Sequence, residues 1–329
     1  ADPKVRASLG DIFRDHKFVY SAGARNITGG GIIRPADGAI TERDPIDYPF
    51  EAIRKHIKNI TETWAWKGKG NFRIGTADET GLGYQYWGEA AAEDLRQHLQ
   101  TYYGQDIDAM NKHCGTAYKS FADIKLPTRQ PTTPAEHAVW EHWRRLRETK
   151  LESLYANFYQ IVKEHNPDLD VFHLPSTGAA QSPLYGVNYY NVTKHQDVSG
   201  IDGTCCAINR EWLYLDLTIK RYLTSEWGGL YNESPVTYVN SKLWEELSGG
   251  ALGFEHHVWS FGSDSVSFVD TLDMPRVYGH LMRMTLRDAR KIDHVVLDGK
   301  RADPEIGILF SQTARVHDQG WGWAGEKTV

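Results

Sequence analysis

The chain has 329 residues, enough for one large domain or two ordinary ones and for a full buried core. Its net charge of −6, with Lys and Arg scattered along the chain, gives no basic field and argues against nucleic acid as a partner. No run of about 18 apolar residues occurs, so no membrane-spanning helix is expected.

In chain order, residues 4–16 read as a helix ending at His16, and Phe18–Gly23 as the first strand. Gly29-Gly30-Gly31 reads as a flexible loop, because no helix signal follows it as a phosphate cradle would need. Pro49–Thr63 carries Phe50, Ile53, Ile57 and Ile60 at spacings of three and four, a helical period. Strand Phe72–Ala77 and helix Ala90–Tyr103 come next. Thr133–His165 is the longest helix, with Pro134 suited to its first turn. Within it, Trp143-Arg144-Arg145-Leu146-Arg147 reads as a solvated face. Strands Asp170–Leu174, Val198–Gly203, Arg221–Ser225 and Ala251–Trp259 follow, with helices Ser234–Leu247 and Met274–Arg290.

Short apolar runs alternating with amphipathic segments imply parallel strands joined by crossover helices. Polar residues gather just after the strands: Arg25, Asp78-Glu79, His173, Asp202, Glu226 and His256-His257. That placement fits the C-terminal rim of a (β/α)8 TIM-type barrel, where active sites are built. The reading finds six strand–helix units and a barrel needs eight. Either two strands are missed, or the chain opens inside the barrel at the helix before a third strand. The barrel is assigned to residues 1–292. Residues 293–329 are read as a linker and the beginning of a second α/β domain, whose first strand is Pro304–Phe310.

The three cysteines, Cys114, Cys205 and Cys206, form no CxxC pair, which argues against a zinc knot and against a disulfide framework. Sequons begin at Asn26, Asn59, Asn191 and Asn232 but matter only in a eukaryotic secretory protein. The compartment stays open between cytoplasm, periplasm and exterior. Eleven Trp and seventeen Tyr are many for this length. Most suit a large aromatic core, and some suit platforms that stack on sugar faces.

Two glutamates stand out. Glu79 and Glu226 each end an apolar strand and open a loop with glycines. Retaining glycosidases need such a pair about 5–5.5 Å apart, one carboxyl to protonate the leaving oxygen and one to attack the anomeric carbon. Glu233, the alternative nucleophile, reads better as part of a helix start. Glu255 and His173 suit structural roles.

At these residues the sequence resembles the clan A glycoside hydrolases, and among them the family 42 β-galactosidase-like group. Asp78-Glu79 is similar to the clan's Asn-Glu at the end of the fourth strand, and Ser225-Glu226 to the nucleophile at the end of the seventh. Tyr102–Tyr118 resembles the family's Tyr-Gly…Leu-Asn…Trp-Gly-Thr-x-Phe segment, and Gly250–Phe261 its eighth strand. The resemblance implies Glu79 as acid/base and Glu226 as nucleophile. It also implies Arg25, Asp78, Asp202, Trp227, His257 and Trp259 around an oligo- or polysaccharide substrate. The tail resembles the start of a glutaminase-like domain through which relatives assemble, implying a homo-oligomer. Where the family has a zinc-binding cysteine cluster this chain has Tyr84-Gln85-Tyr86-Trp87, so neither metal nor cofactor is expected. Asp78 departs from the pattern. The clan's Asn donates to a sugar hydroxyl, whereas an ionised Asp only accepts and sets a like charge beside Glu79. Two other readings remain: a non-catalytic sugar-binding barrel, and a metal-dependent hydrolase drawing on His173, Asp202 and His256.

Overall fold

The computed structural model describes residues 20–23, 54–55, 58, 72–75, 89–127, 131–173, 186–202, 221–225, 244, 251–254, 277–298 and 305. Among these described residues, six parallel strands form one sheet in sequential order: β1 (Tyr20–Gly23), β2 (Phe72–Gly75), β3 (Asp170–His173), β4 (Val198–Asp202), β5 (Arg221–Ser225) and β6 (Ala251–Phe254). All six match the strands expected from sequence. The order has no reversal, so no topological switch point of the doubly wound kind exists within it.

The ladder is staggered. Gly23, Gly75, Phe172, Val198 and Arg221 stand in one row of paired residues. Gly23 and Gly75 are the last residues of their strands, whereas Val198 and Arg221 are the first of theirs. From that row β4 runs four residues further to Asp202, and β5 four further to Ser225. Between β5 and β6 the pairs Tyr222–Ala251 and Thr224–Phe254 leave one extra residue on β6, a bulge. Bulges re-aim the residues that follow them and are frequent near sites.

Between β2 and β3 lie α1 (Glu89–Tyr102), α2 (Ile107–Cys114), a 3-10 turn (Phe121–Asp123) and α3 (Pro134–His165). Helix α3 starts where its sequence dictates. The Thr133 hydroxyl accepts from the Glu136 N–H, the Glu136 carboxylate accepts from the Thr133 N–H, and Pro134 needs no partner in the first turn. Over its 32 residues, roughly 48 Å at about 1.5 Å per residue, α3 serves two cores. Val139, Trp140, Trp143 and Leu146 pack with Ala91, Leu95, Leu99, Met110 and Cys114 of α1 and α2. Further along, Tyr155 and Phe158 lie against His173 of β3.

This double covering overturns the reading of Trp143–Arg147 as a solvated face. Trp143, Arg144, Leu146 and Arg147 are buried and only Arg145 is exposed. Arg147 lies over the Trp143 ring at 4.6 Å, and Arg144 is held between Glu141 and Glu148.

β4 is tied to β3 by Asp197. Its carboxylate accepts from the Val171 N–H at 2.8 Å and the Tyr159 hydroxyl at 3.2 Å, and pairs with Lys163 at 2.7 Å. Upstream, Gly186 has φ +67°, and a Cβ there would meet the Arg147 carbonyl oxygen at 3.0 Å. Gly186→Ala is therefore expected to cost about 1–3 kcal/mol, from left-handed backbone strain and the displaced α3 carbonyl. Thermal melting checks it, and an unchanged Tm would contradict the close approach.

Between β3 and β4 lies α4 (Tyr189–Thr193); after β6 come α5 (Val277–Ala289), a 3-10 turn (Arg290–Ile292) and α6 (Asp293–Asp298). Of the helix expected over Pro49–Thr63, Arg54, Lys55 and Lys58 are described and helical, with Arg54 paired to Glu164 at 2.6 Å. Of that over Ser234–Leu247, Trp244 is described and helical. The helix expected over residues 4–16 and the strand Pro304–Phe310 fall outside the described residues, Glu305 excepted. Among the described residues no helix is long and apolar enough to cross a membrane.

Candidate active site

Because every strand pair is parallel, all strand C-termini lie on one edge of the sheet. Arg25 comes two residues after β1, and Asp78 and Glu79 come three and four after β2. Asp202 is the last residue of β4 and is paired in register with Ser225. Glu226 is bonded directly to Ser225, and Trp227 follows it. His257 and Trp259 come three and five residues after β6. Apart from Asp202, these candidates lie outside the described residues, as do Glu233, Glu255 and His256.

His173 is described, and the structure removes it from that edge's chemistry. Its ring is fully buried, 4.4 Å from the Tyr155 ring and 5.7 Å from Phe158, on the side of β3 that faces α3. Its Nε2 lies 2.9 Å from the His195 carbonyl oxygen, and the Gln196 side-chain oxygen accepts from its N–H. The neighbouring Phe172 instead clusters with Val198. Alternation along the strand thus assigns His173 to the sheet–helix interface, and the metal-hydrolase reading loses one of its ligands. Among the described residues, no group of three or more His, Cys, Asp or Glu is placed to hold a metal ion.

The segment Tyr102–Tyr118 folds as a short helix, α2, held between two tight turns. Gly104 and Gln105 both take positive φ, at 62° and 67°, and turn the chain out of α1. Asp106 caps α2 by accepting from the Ala109 N–H at 2.9 Å, and Gly115, at φ 69°, ends it. Asn111 then locks the exit: its amide donates to the Tyr118 carbonyl, and its oxygen accepts from the Thr116 hydroxyl and the Tyr118 N–H. Cys114 stands where the family pattern has Trp, and its sulfur lies 3.4 Å from the Tyr103 hydroxyl.

A polar network that the sequence reading passed over joins α3 to the chain before β4. Arg144 donates to both oxygens of Glu141 and to Glu148, and the Asn188 amide donates to Glu148 at 3.1 Å. Burial works against the Glu141 carboxylate, but Arg144 and Arg145 overcome it and hold its pKa down at about 2. Burial also pushes the Glu148 carboxyl up, and Arg144 and Asn188 offset this only in part. The available signal was the spacing: Glu141 and Glu148 sit three before and four after Arg144, the positions that meet on a helix.

The sequence profile of glycoside hydrolase family 42, described as β-galactosidase, matches residues 39–211, which is 173 of the chain's 329 residues. The chain belongs to glycoside hydrolase family 42. The matched stretch contains Asp78 and Glu79 and stops short of Glu226. No curated protein matches the chain.

Solved structures agree with the family 42 fold. The β-galactosidase of the psychrophilic Marinomonas ef1 superposes with a TM-score of 0.65 at 14% identity, over 94% of this chain and 53% of that one. The β-galactosidase of the haloarchaeon Halorubrum lacusprofundi gives 0.63 at 15%, over 88% and 51%. An exo-carrageenase of family 42 from Bacteroides ovatus gives 0.62 at 12%, over 83% and 43%. The chain thus spans about half the length of the solved relatives it matches.

Proposed function

We propose that this family 42 chain is a retaining glycoside hydrolase that cleaves a β-galactoside-like bond by double displacement. Glu226 attacks the anomeric carbon while Glu79 protonates the departing oxygen, and Glu79 then activates the water that releases the sugar. The observation that carries this reading is the sequential parallel sheet. It sends the chain into Asp78-Glu79 and into Glu226 from the same edge, three strands apart.

The register supports a closed (β/α)8 barrel. A climb of four residues over the four steps from β1 to β5 is one residue per strand, the shear of an eight-stranded barrel. In that barrel the six strands are the third to the eighth. Residues 1–292 form the barrel part and 293–329 the linker and start of a second, glutaminase-like domain, through which the protein would assemble. Arg25, Asp202, Trp227, His257 and Trp259 line the sugar site, and Asp78 accepts a sugar hydroxyl beside Glu79.

A panel of aryl glycosides tests the activity, with the aryl β-galactoside expected to turn over. Asp78 favours a second reading, a carbohydrate-binding barrel without turnover, which predicts saccharide binding and no aryl release. Asp78→Asn separates the two. In the enzyme it removes a like charge from beside Glu79, so the alkaline limb of the pH–rate profile is expected to move to lower pH. In a binding protein no limb exists to move.

A further inference from the structure

The helical insert contains a chain of side chains that the proposed hydrolysis does not use. His98 Nε2 of α1 lies 3.3 Å from His142 Nδ1 of α3. His142 Nε2 lies 3.0 Å from the Tyr103 hydroxyl, which lies 3.4 Å from Cys114 Sγ of α2. Three helices therefore meet on one unbranched path. The rings are also packed: His98 and His142 centroids are 5.4 Å apart, and Tyr102 meets His142 edge-on at 4.8 Å.

We propose that this path is an acid-operated latch, closed when the histidine pair is neutral and released when the pair gains protons, freeing α1 and α2 from α3. The bonding rules give the reason. A neutral imidazole has one donor and one acceptor nitrogen, so the two facing nitrogens share a single proton. One added proton is accommodated by a tautomer shift, with Tyr103 accepting from His142 and donating to Cys114. A second proton makes both facing nitrogens N–H groups, and the contact becomes donor against donor between two cations.

The surroundings oppose charging. From α3, Arg145 opposes charge on both rings, and Glu141, which favours a charged His142, is engaged by Arg144 and Arg145. From α2 comes His113, from the end of α1 Tyr102, and from the turn after it Tyr103. Burial first, then His98 and Arg145, hold the His142 imidazole down at about 4. Burial and Arg145 likewise lower His98. Burial and Cys114 push the Tyr103 phenol up, so it stays a hydroxyl. A depressed histidine stabilises the closed form above the unfolded value of 6.5, and that stability is lost as pH falls from there towards 4. Helix α1 begins ten residues after Glu79.

Hydrogen–deuterium exchange of the whole protein, corrected for intrinsic exchange, tests the latch in peptides from residues 89–127, with residues 277–289 as control. Between pH 6 and 4.5 the opening of α1 and α2 is expected to rise on the order of 20-fold beyond the control, from the shift of His142 alone. His142→Gln keeps an amide towards Tyr103 but takes no proton, and is expected to flatten that rise. A His142→Gln profile that matches the wild type overturns the proposal. Should His142→Gln fail to fold, imidazole titration of the wild type by NMR decides. Both rings titrating below the ordinary value of 6.5 supports the latch, and either ring titrating at or above 6.5 with α1 still protected overturns it.

Discussion

Glu226→Ala is expected to lower kcat on an aryl β-galactoside by on the order of 10^4-fold or more, with the fold intact. The size follows from the mechanism. The covalent intermediate splits one difficult displacement into two easier ones, and without the carboxylate neither step exists. The variant also has a signature that mere loss of activity lacks. Alanine leaves a space where the carboxylate stood, so a small anion such as azide can attack the anomeric carbon from that side. The product is then a glycosyl azide of inverted configuration, with the phenolate leaving. Recovery of turnover by azide with inversion supports Glu226 as the nucleophile; an unchanged rate for Glu226→Ala removes it from that role.

Glu79→Ala has a different expected profile. Loss of the acid slows substrates with poor leaving groups far more than those with good ones, because a dinitrophenolate departs without a proton. The two variants therefore test the two roles separately. A crystal structure adds a geometric test. A carboxyl separation well above about 6 Å would sink the retaining mechanism in favour of inversion or of binding alone.

Much of the architecture was legible in local pattern. The strands lie in short apolar runs between amphipathic segments, and such runs announce themselves without partners. Helix α3 was legible at its start because Thr133-Pro134 and Glu136 form a capping box within four residues. Helix α2 was missed: eight residues give too few turns for a period to show, and its signals were the caps Asp106 and Gly115. The environment of α3 was not legible either. Charged residues in its middle suggest solvent, and only the tertiary arrangement brings α1 and α2 over one side and β3 over another. His173 illustrates the same limit. Sequence places it at a strand end, but which side of the pleat it takes depends on the register with neighbouring strands. The carboxylate pair is legible as two strand-end residues, whereas the gap between them is set by shear and tilt, which no local pattern encodes.

The Arg144 network carries the largest expected effect on stability. Arg144 is buried, and it neutralises two carboxylates, Glu141 and Glu148, the second of them also buried. Arg144→Met keeps the stem and the packing but leaves Glu148 facing only the Asn188 amide in a desolvated site. Breaking one side of a buried pair costs about 3–5 kcal/mol, because the remaining charge has no compensation. A Tm loss of roughly 6–15 °C follows for a domain of this size. The double variant Arg144→Met/Glu148→Leu removes both charges, and Glu141 keeps Arg145 at 2.8 Å. It is expected to recover most of the loss, since apolar replacements of a buried pair are often neutral or better. Thermal melting of the wild type, the single variants and the double variant reads out the coupling. Additive losses in the double variant would show that Arg144 and Glu148 act separately. The Glu141 contribution has its own pH window. Its pKa, held at about 2, lies below the unfolded value of 4.5, so its stabilisation is present above 4.5 and is lost as pH falls towards 2. In Arg144→Met that acid sensitivity is expected to weaken, because the first of the two arginines holding Glu141 is gone.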